Sequence, residues 1–209
     1  MKQPCLFTIS APSGAGKTSL VKALLQRNPD AAVCVSHATR GMRPGEVDGV
    51  DYHFVSVADF EMMADASAFL EHARVFDNYY GTSLAEVERL QAMGRHVILE
   101  IDWQGARQVR QKIPDTIPIF ILPPSRETLR QRLEGRGTDD PAVIERRMAA
   151  ADIEMSHYRD ARYLVINENF DHALHELDAI ITSQGLTTSR QMANYPQLIS
   201  AIDSLFPGA

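Results

Sequence analysis

Cysteine is scarce: among 209 residues only Cys5 and Cys34 occur. Two thiols are too few for a disulfide-stapled scaffold. Each lies in an apolar run (CLFTIS and VCVS), which reads as a buried, reduced thiol. Long hydrophobic runs are missing too, and none approaches the ~20 residues of a membrane span. The first ten residues, MKQPCLFTIS, lack the long apolar region and small-residue cleavage site of a secretory leader. The expectation is a cytoplasmic protein with no membrane partner. Positive charge is in deficit, with 21 Lys and Arg against 27 Asp and Glu, a formal net charge of −6. That balance argues against a protein built to coat nucleic acid, whose phosphate contacts need a basic face. It still allows one positive pocket for a small anion. Repeats and low-complexity segments are absent. With 44% hydrophobic and 23% charged residues the chain is an ordinary globular one, long enough to bury a core without staples.

What is present alternates. Short apolar runs at Cys5–Ser10, Val33–Ser36, His96–Ile101, Ile117–Leu122 and Tyr163–Asn167 read as buried strands. Between them lie segments with helical spacing: Leu20, Val21, Leu24 and Leu25 after Thr18; Leu84, Val87 and Leu90 behind the capping box Ser83-x-x-Glu86; Ala106, Val109 and Ile113; and Phe170 to Ile181. Asp140-Pro141 opens a helix running to about Tyr158. Strands alternating with helices predict an α/β fold with a mainly parallel sheet between helical layers. Residues 40–49 read as a loop, Tyr52–Val55 as a strand, Ser56 as the opening of a helix, and Arg74–Tyr80 as one extended aromatic segment. Residues 36–82 therefore look like an insertion with its own small sheet.

The strongest local signal follows the first strand: Ala11-Pro12-Ser13-Gly14-Ala15-Gly16-Lys17-Thr18. It matches the phosphate-loop pattern G-x-x-x-x-G-K-[ST] except at its first position, where Ala11 stands for Gly. Glycines let backbone N–H groups converge on phosphate oxygens, and the helix start adds its positive end. In that pattern Lys17 reaches the β- and γ-phosphates, and the Thr18 hydroxyl can coordinate Mg²⁺. Ala11 costs little provided its φ is negative. The guanine-reading motif N-K-x-D of GTPases is missing; the nearest look-alike, Asn167-Glu168-Asn169, lacks the lysine. Small size and an arginine-bearing segment after Ser125 point to a nucleotide kinase.

Downstream stand SHATRGMRPGEVDGVDYHF, FLEHARVFDNYYGTS, ILEIDWQG, FILPPS and RLEGRG. With APSGAGKT, in this order and spacing, they resemble bacterial guanylate kinase over nearly the whole chain. The resemblance implies transfer of the ATP γ-phosphoryl group to GMP or dGMP with Mg²⁺. It assigns ATP to residues 11–18 with Arg132 and Arg136, and catalysis to Lys17, Arg40, Arg43, Arg136 and Arg147. It assigns GMP to Ser36, Arg40, Arg43, Tyr52, Glu71, Tyr80, Thr82, Glu100 and Asp102. These roles make chemical sense. Guanidinium forks clamp a phosphate bidentately. A carboxylate at Glu71 accepts both guanine N1–H and the exocyclic N2 amine, which adenine cannot offer. Glu100 stands where the family usually has Asp, which leaves base, ribose or a water on Mg²⁺ as its contact. Ala38 and Met42 depart from the family's common Thr and Pro.

Within one unit of residues 1–209, the core is expected at 1–35, 83–125 and 160–185. The GMP-binding subdomain is expected at 36–82, a lid at 126–159 and a helical extension at 186–209. Eight arginines between Arg126 and Arg162 are matched by eight Asp or Glu residues, which favours a salt-bridged surface over a nucleic-acid patch. His172 and His175 read as a solvated helix face and Trp103 as local packing. In the extension, Leu198, Ile202 and Leu205 share one face, which packs on its own domain or on a partner, and a homo-oligomer stays open. A kinase for another nucleotide or a phosphosugar, and a non-catalytic binding module, are the competing readings. The set Ser36, Glu71 and Thr82 speaks against the first and an intact Lys17-Thr18 against the second.

Overall fold

The structure is a computed structural model, and it describes residues 3–75, 77–135 and 140–206. A five-stranded sheet forms its centre, in the order β2-β7-β1-β8-β9, from Leu6–Ser10 (β1), Ala31–Val33 (β2), His96–Glu100 (β7), Ile117–Leu122 (β8) and Tyr163–Ile166 (β9). Every pairing in it is parallel. Near-continuous apolar strands suit a sheet buried on both faces. Successive side chains point to opposite sides, so one face collects Phe7, Ile9, Ile98, Ile119 and Ile121. That face packs on Leu20, Val21 and Leu24 of α1 (Lys17–Arg27) and on Leu174, Leu177 and Ile181 of α7 (Phe170–Gly185). The other face collects Leu6, Val97 and Leu99 against Val87 and Leu90 of α3 (Leu84–Ala92) and Val109 of α4 (Trp103–Lys112). The result is the expected three-layer α/β/α arrangement.

A second sheet, β4-β3-β6-β5, is made from His37–Ala38 (β3), His53–Phe54 (β4), Phe69–Val75 (β5) and Asn78–Ser83 (β6). With α2 (Val57–Asp65), whose N-cap Ser56 accepts from Asp59 N–H, it forms the small sheet expected between residues 36 and 82. Stacking of Phe60 on Phe69 and Tyr79 fills its core. Beyond Ser125, which caps it, α5 (Arg126–Glu134) packs on α6 (Pro141–Ser156) through Leu129, Leu133, Ile144 and Met148.

Several expectations need correction. The segment Arg74–Tyr80 is not one extended run: the chain reverses within it, and Val75 pairs antiparallel with Asn78. The aromatic residues obscured Asp77-Asn78, a turn pair. The second core strand covers Ala31–Val33 rather than Val33–Ser36, because by Ser36 the chain has crossed to the small sheet, where its carbonyl accepts from His53 N–H. Leu84 is exposed rather than inward. The C-terminal stretch breaks at Tyr195-Pro196 into α8 (Thr188–Asn194) and α9 (Pro196–Asp203), since proline cannot continue a helix. Arg190 of α8 donates to the Pro4 carbonyl, whereas Leu198, Ile202 and Leu205 remain exposed and do not pack on their own domain. Cys5 and Cys34 are buried free thiols, and burial pushes Cys34 up to about 12.

Candidate active site

The phosphate loop lies between β1 and α1. Gly14 and Gly16 both have φ of 92°, a conformation that favours glycine. Space makes the same demand. A methyl at Gly14 would fall 2.9 Å from Leu133 of α5, and one at Gly16 would fall 2.5 Å from the Asn167 amide. Ala11 meets the condition set for it, because Ser67 is the only non-glycine residue with positive φ among the described residues. Asn167 Nδ2 donates to the Ala15 carbonyl at 2.7 Å and so fixes the loop from beneath. The Asn167 carbonyl in turn accepts from Arg132 at 2.9 Å. The other Arg132 terminal nitrogen, Nη1, is buried without a hydrogen-bond partner.

The loop meets α6 through one residue. Arg147 donates to Ser13 Oγ at 2.6 Å, and Glu154, two turns further along α6, accepts the Ser13 N–H at 3.1 Å. Burial raises the pKa of Glu154, while Lys17 and Arg147 pull it down and Asp102 pushes it up. Sequence reading gave Glu154 and Asn167 no role. Their signals were present: Glu154 shares a helix face with Arg147, and Asn167 ends a parallel strand at the ligand-binding edge.

Lys17 Nζ donates to the Ile101 carbonyl at 3.2 Å, and Thr18 Oγ1 donates to Glu100 Oε2 at 3.1 Å. A hydroxyl and a carboxylate so close supply the hard oxygen donors that suit Mg²⁺. Groups of three or more His, Cys, Asp or Glu side chains placed to hold a metal are absent among the described residues. Glu100 therefore faces the loop's hydroxyl, a contact other than the base, ribose or metal-bound water named for it from sequence.

On the insertion side, Arg40 grips Glu46 with both terminal nitrogens at 2.6 Å, and this pairing raises the arginine and lowers the carboxylate. The Arg40 guanidinium also lies over Tyr52, whose ring meets Tyr80 edge to face at 5.9 Å. Burial raises Tyr52, and the charge of Glu100 adds to the shift. Arg43 is exposed on the same loop, its backbone N–H bonded to Glu46.

Glu71 is 3% exposed. Thr82 Oγ1 donates to its Oε1 at 2.6 Å, and Ser36 Oγ lies 3.3 Å from Thr82 Oγ1. The single Thr82 proton goes to the carboxylate, so Ser36 donates to Thr82. Burial raises Glu71 to about 7, with Asp102 adding to the rise and the Thr82 hydrogen bond opposing it. Asp102 caps α4 through Gly105 N–H at 2.8 Å. Its charge raises both Glu71 and Glu154. Of the residues singled out from sequence, Arg136 lies outside the described residues.

A guanylate kinase family model matches residues 3–184. The chain belongs to the guanylate kinase family. Among its relatives, guanylate kinase of Methylococcus capsulatus is 58% identical over 200 residues, 96% of this chain and 98% of that one. Guanylate kinase of Chromohalobacter salexigens is 57% identical over 197 residues, 94% of this chain and 92% of its own. The crystal structure of guanylate kinase from Anaplasma phagocytophilum superposes with a TM-score of 0.77 at 29% identity, covering 90% of each chain. The match with this family includes both sheets and both sides of the site. No helix among the described residues is long and apolar enough to cross a membrane.

Proposed function

We propose that this chain is a guanylate kinase that transfers the γ-phosphoryl group of ATP to GMP or dGMP, giving ADP and GDP or dGDP. The observation that carries the reading is Glu71: a buried carboxylate held by the Thr82 hydroxyl. Guanine offers N1–H and N2–H side by side to such an acceptor, while adenine would leave it unpaired. Sites of that kind discriminate by roughly 10⁴ or more.

The acceptor phosphate oxygen attacks the γ-phosphorus and the bond to the β,γ-bridging oxygen breaks. The attacking oxygen is already anionic, so no general base is needed. The difficulty is bringing two polyanions together in line, and positioning and charge screening supply the catalysis. Lys17, Arg147, Arg132 and Arg136 serve the donor phosphates, and the N–H groups of residues 11–18 cradle them. Arg40, Arg43, Tyr52 and Tyr80 serve the acceptor phosphate. The bidentate grip of Arg40 on Glu46 has the geometry with which a guanidinium takes a phosphate. Thr18 and Glu100 are the residues that would hold Mg²⁺, and the ion supplies charge neutralisation between the phosphates.

Residues 36–82 serve as the GMP-binding part and 126–159 as the lid. Residues 1–35, 83–125 and 160–185 form the core, and 186–209 an extension. The place of action is the cytoplasm, in purine nucleotide metabolism and GMP recycling, with no nucleic-acid partner. The exposed apolar face of α9 is what a homo-oligomer would bury, and sedimentation velocity measures whether one forms. A coupled assay for ADP release with ATP plus GMP, against ATP plus AMP, tests the main reading. Equal rates with the two acceptors, or none with GMP, would refute it.

A further inference from the structure

Glycine inside a helix weakens it relative to alanine, so a helical glycine with negative φ calls for a reason. Gly105, in the first turn of α4, is such a residue. A methyl carbon placed there falls 2.5 Å from Glu71 Oε2 and 3.0 Å from Glu71 Cδ. We infer that Gly105 is a specificity-determining positioning residue: its missing side chain reserves the volume in which the Glu71 carboxylate is held for guanine. The inference rests on the reading of Glu71 given above.

Ile101 Cβ, 3.3 Å from the added methyl, need give by only a few tenths of an ångström, so the carboxylate has to yield most. Gly105 N–H is pinned to Asp102 Oδ1 at 2.8 Å. On the other side, β5 is fastened to α4 on both sides of Glu71. Lys112 Nζ donates to the Leu70 carbonyl at 2.6 Å, while Gln108 accepts from His72 N–H at 3.3 Å and donates to the His72 carbonyl at 2.8 Å. Neither backbone can retreat without breaking these bonds. A methyl at 105 therefore pushes Glu71 Oε2 off its position by on the order of 1 Å, a misplacement that costs about 10²-fold in rate.

Gly105→Ala is expected to lower kcat/KM for GMP by about 10²-fold and the GMP-over-AMP preference by at least tenfold. ADP affinity, measured by calorimetry, should stay within twofold. GMP kinetics within threefold of the parent would overturn the inference. A second pair decides the matter even if Gly105→Ala does not fold. Without the carboxylate the tight neighbour left to the methyl is Ile101 Cβ at 3.3 Å, which need give by only a few tenths of an ångström, so Glu71→Ala/Gly105→Ala should fold and melt within about 3 °C of Glu71→Ala. If the methyl lowers the melting temperature there by more than that, the space is not reserved for Glu71 and the inference fails. Glu71→Gln separates the two readings. An unchanged GMP/AMP ratio in that variant removes the reader itself, whereas a changed ratio with a silent Gly105→Ala removes only the role of Gly105.

Discussion

Glu71→Gln offers a sharp test of how the buried carboxylate is held. Burial lifts Glu71 from 4.5 to about 7, with Asp102 adding to the rise. A carboxylate whose folded pKa lies above its unfolded value destabilises the fold as pH rises from the unfolded pKa to the folded one. The penalty is therefore absent at about pH 4, grows through the window between 4.5 and about 7, and is complete above it. At ~1.4 kcal/mol per unit, that shift amounts to about 3 kcal/mol in the protein without nucleotide. Gln carries no charge, so the variant escapes the penalty. Any cost of burying its amide does not depend on pH and moves every point equally. The melting temperature of Glu71→Gln relative to the parent should thus climb by roughly 6–12 °C between about pH 4.5 and about pH 8, at 2–4 °C per kcal/mol for a chain of this size. Calorimetry or circular dichroism melts without nucleotide, in buffers matched for ionic strength, measure the difference. A constant offset across that range would refute the reasoning. The same sign governs binding. Guanine needs the ionised carboxylate, so parent affinity for GMP should fall about tenfold per unit below about pH 7 through this group.

Lys17→Ala removes a transition-state donor and should lower kcat by at least roughly 10²-fold; turnover near the parent's would refute its assignment. Asn167→Ala leaves the Ala15 carbonyl without its buried donor and should cost about 1–3 kcal/mol and raise KM for ATP, with unchanged melting and KM arguing against the support role. Glu154→Gln takes a negative charge away from Ser13, Lys17 and Arg147, where ATP phosphates must bind. ADP should bind at least roughly threefold more tightly by calorimetry, a gain that shrinks at low pH as the parent's carboxylate protonates. Weaker ADP binding would show instead that Glu154 supports the loop.

The parallel core was legible because its strands are short, apolar and separated by helices with clear starts. The capping reading of Ser83 held in half: Ser83 accepts from Glu86 N–H, but the Glu86 carboxylate is taken by Arg89. The phosphate loop was legible because its chemistry is contiguous. What escaped were pairings across long sequence distances. Glu154 sits in a helix full of balanced charge and looks like one more solvated acid until the fold brings it 3.1 Å from Ser13. Asn167 looked like a failed GTPase motif, yet its amide props the loop. Arg40 and Glu46 lie six residues apart in a polar loop, and only the fold shows that they face each other. Glu100 meets a neighbour 82 positions away, Thr18, a contact with no sign in the sequence.

Trp103 is the chain's one tryptophan, and it stacks flat on His157 with ring centroids 3.7 Å apart and planes 7° from parallel. The two rings belong to different limbs of the site: the indole to the first turn of α4, directly after Asp102, and the imidazole to the 3-10 turn that follows α6. Intrinsic fluorescence of this protein is therefore a single-site signal without any label. A histidine ring stacked on an indole alters its emission, so a movement that parts the turn from α4 changes the protein's fluorescence. Nucleotide titrations followed at the tryptophan wavelength would then report how the helix bearing Arg147 and Glu154 moves relative to the strand end bearing Glu100, in stopped-flow time and with the natural sequence.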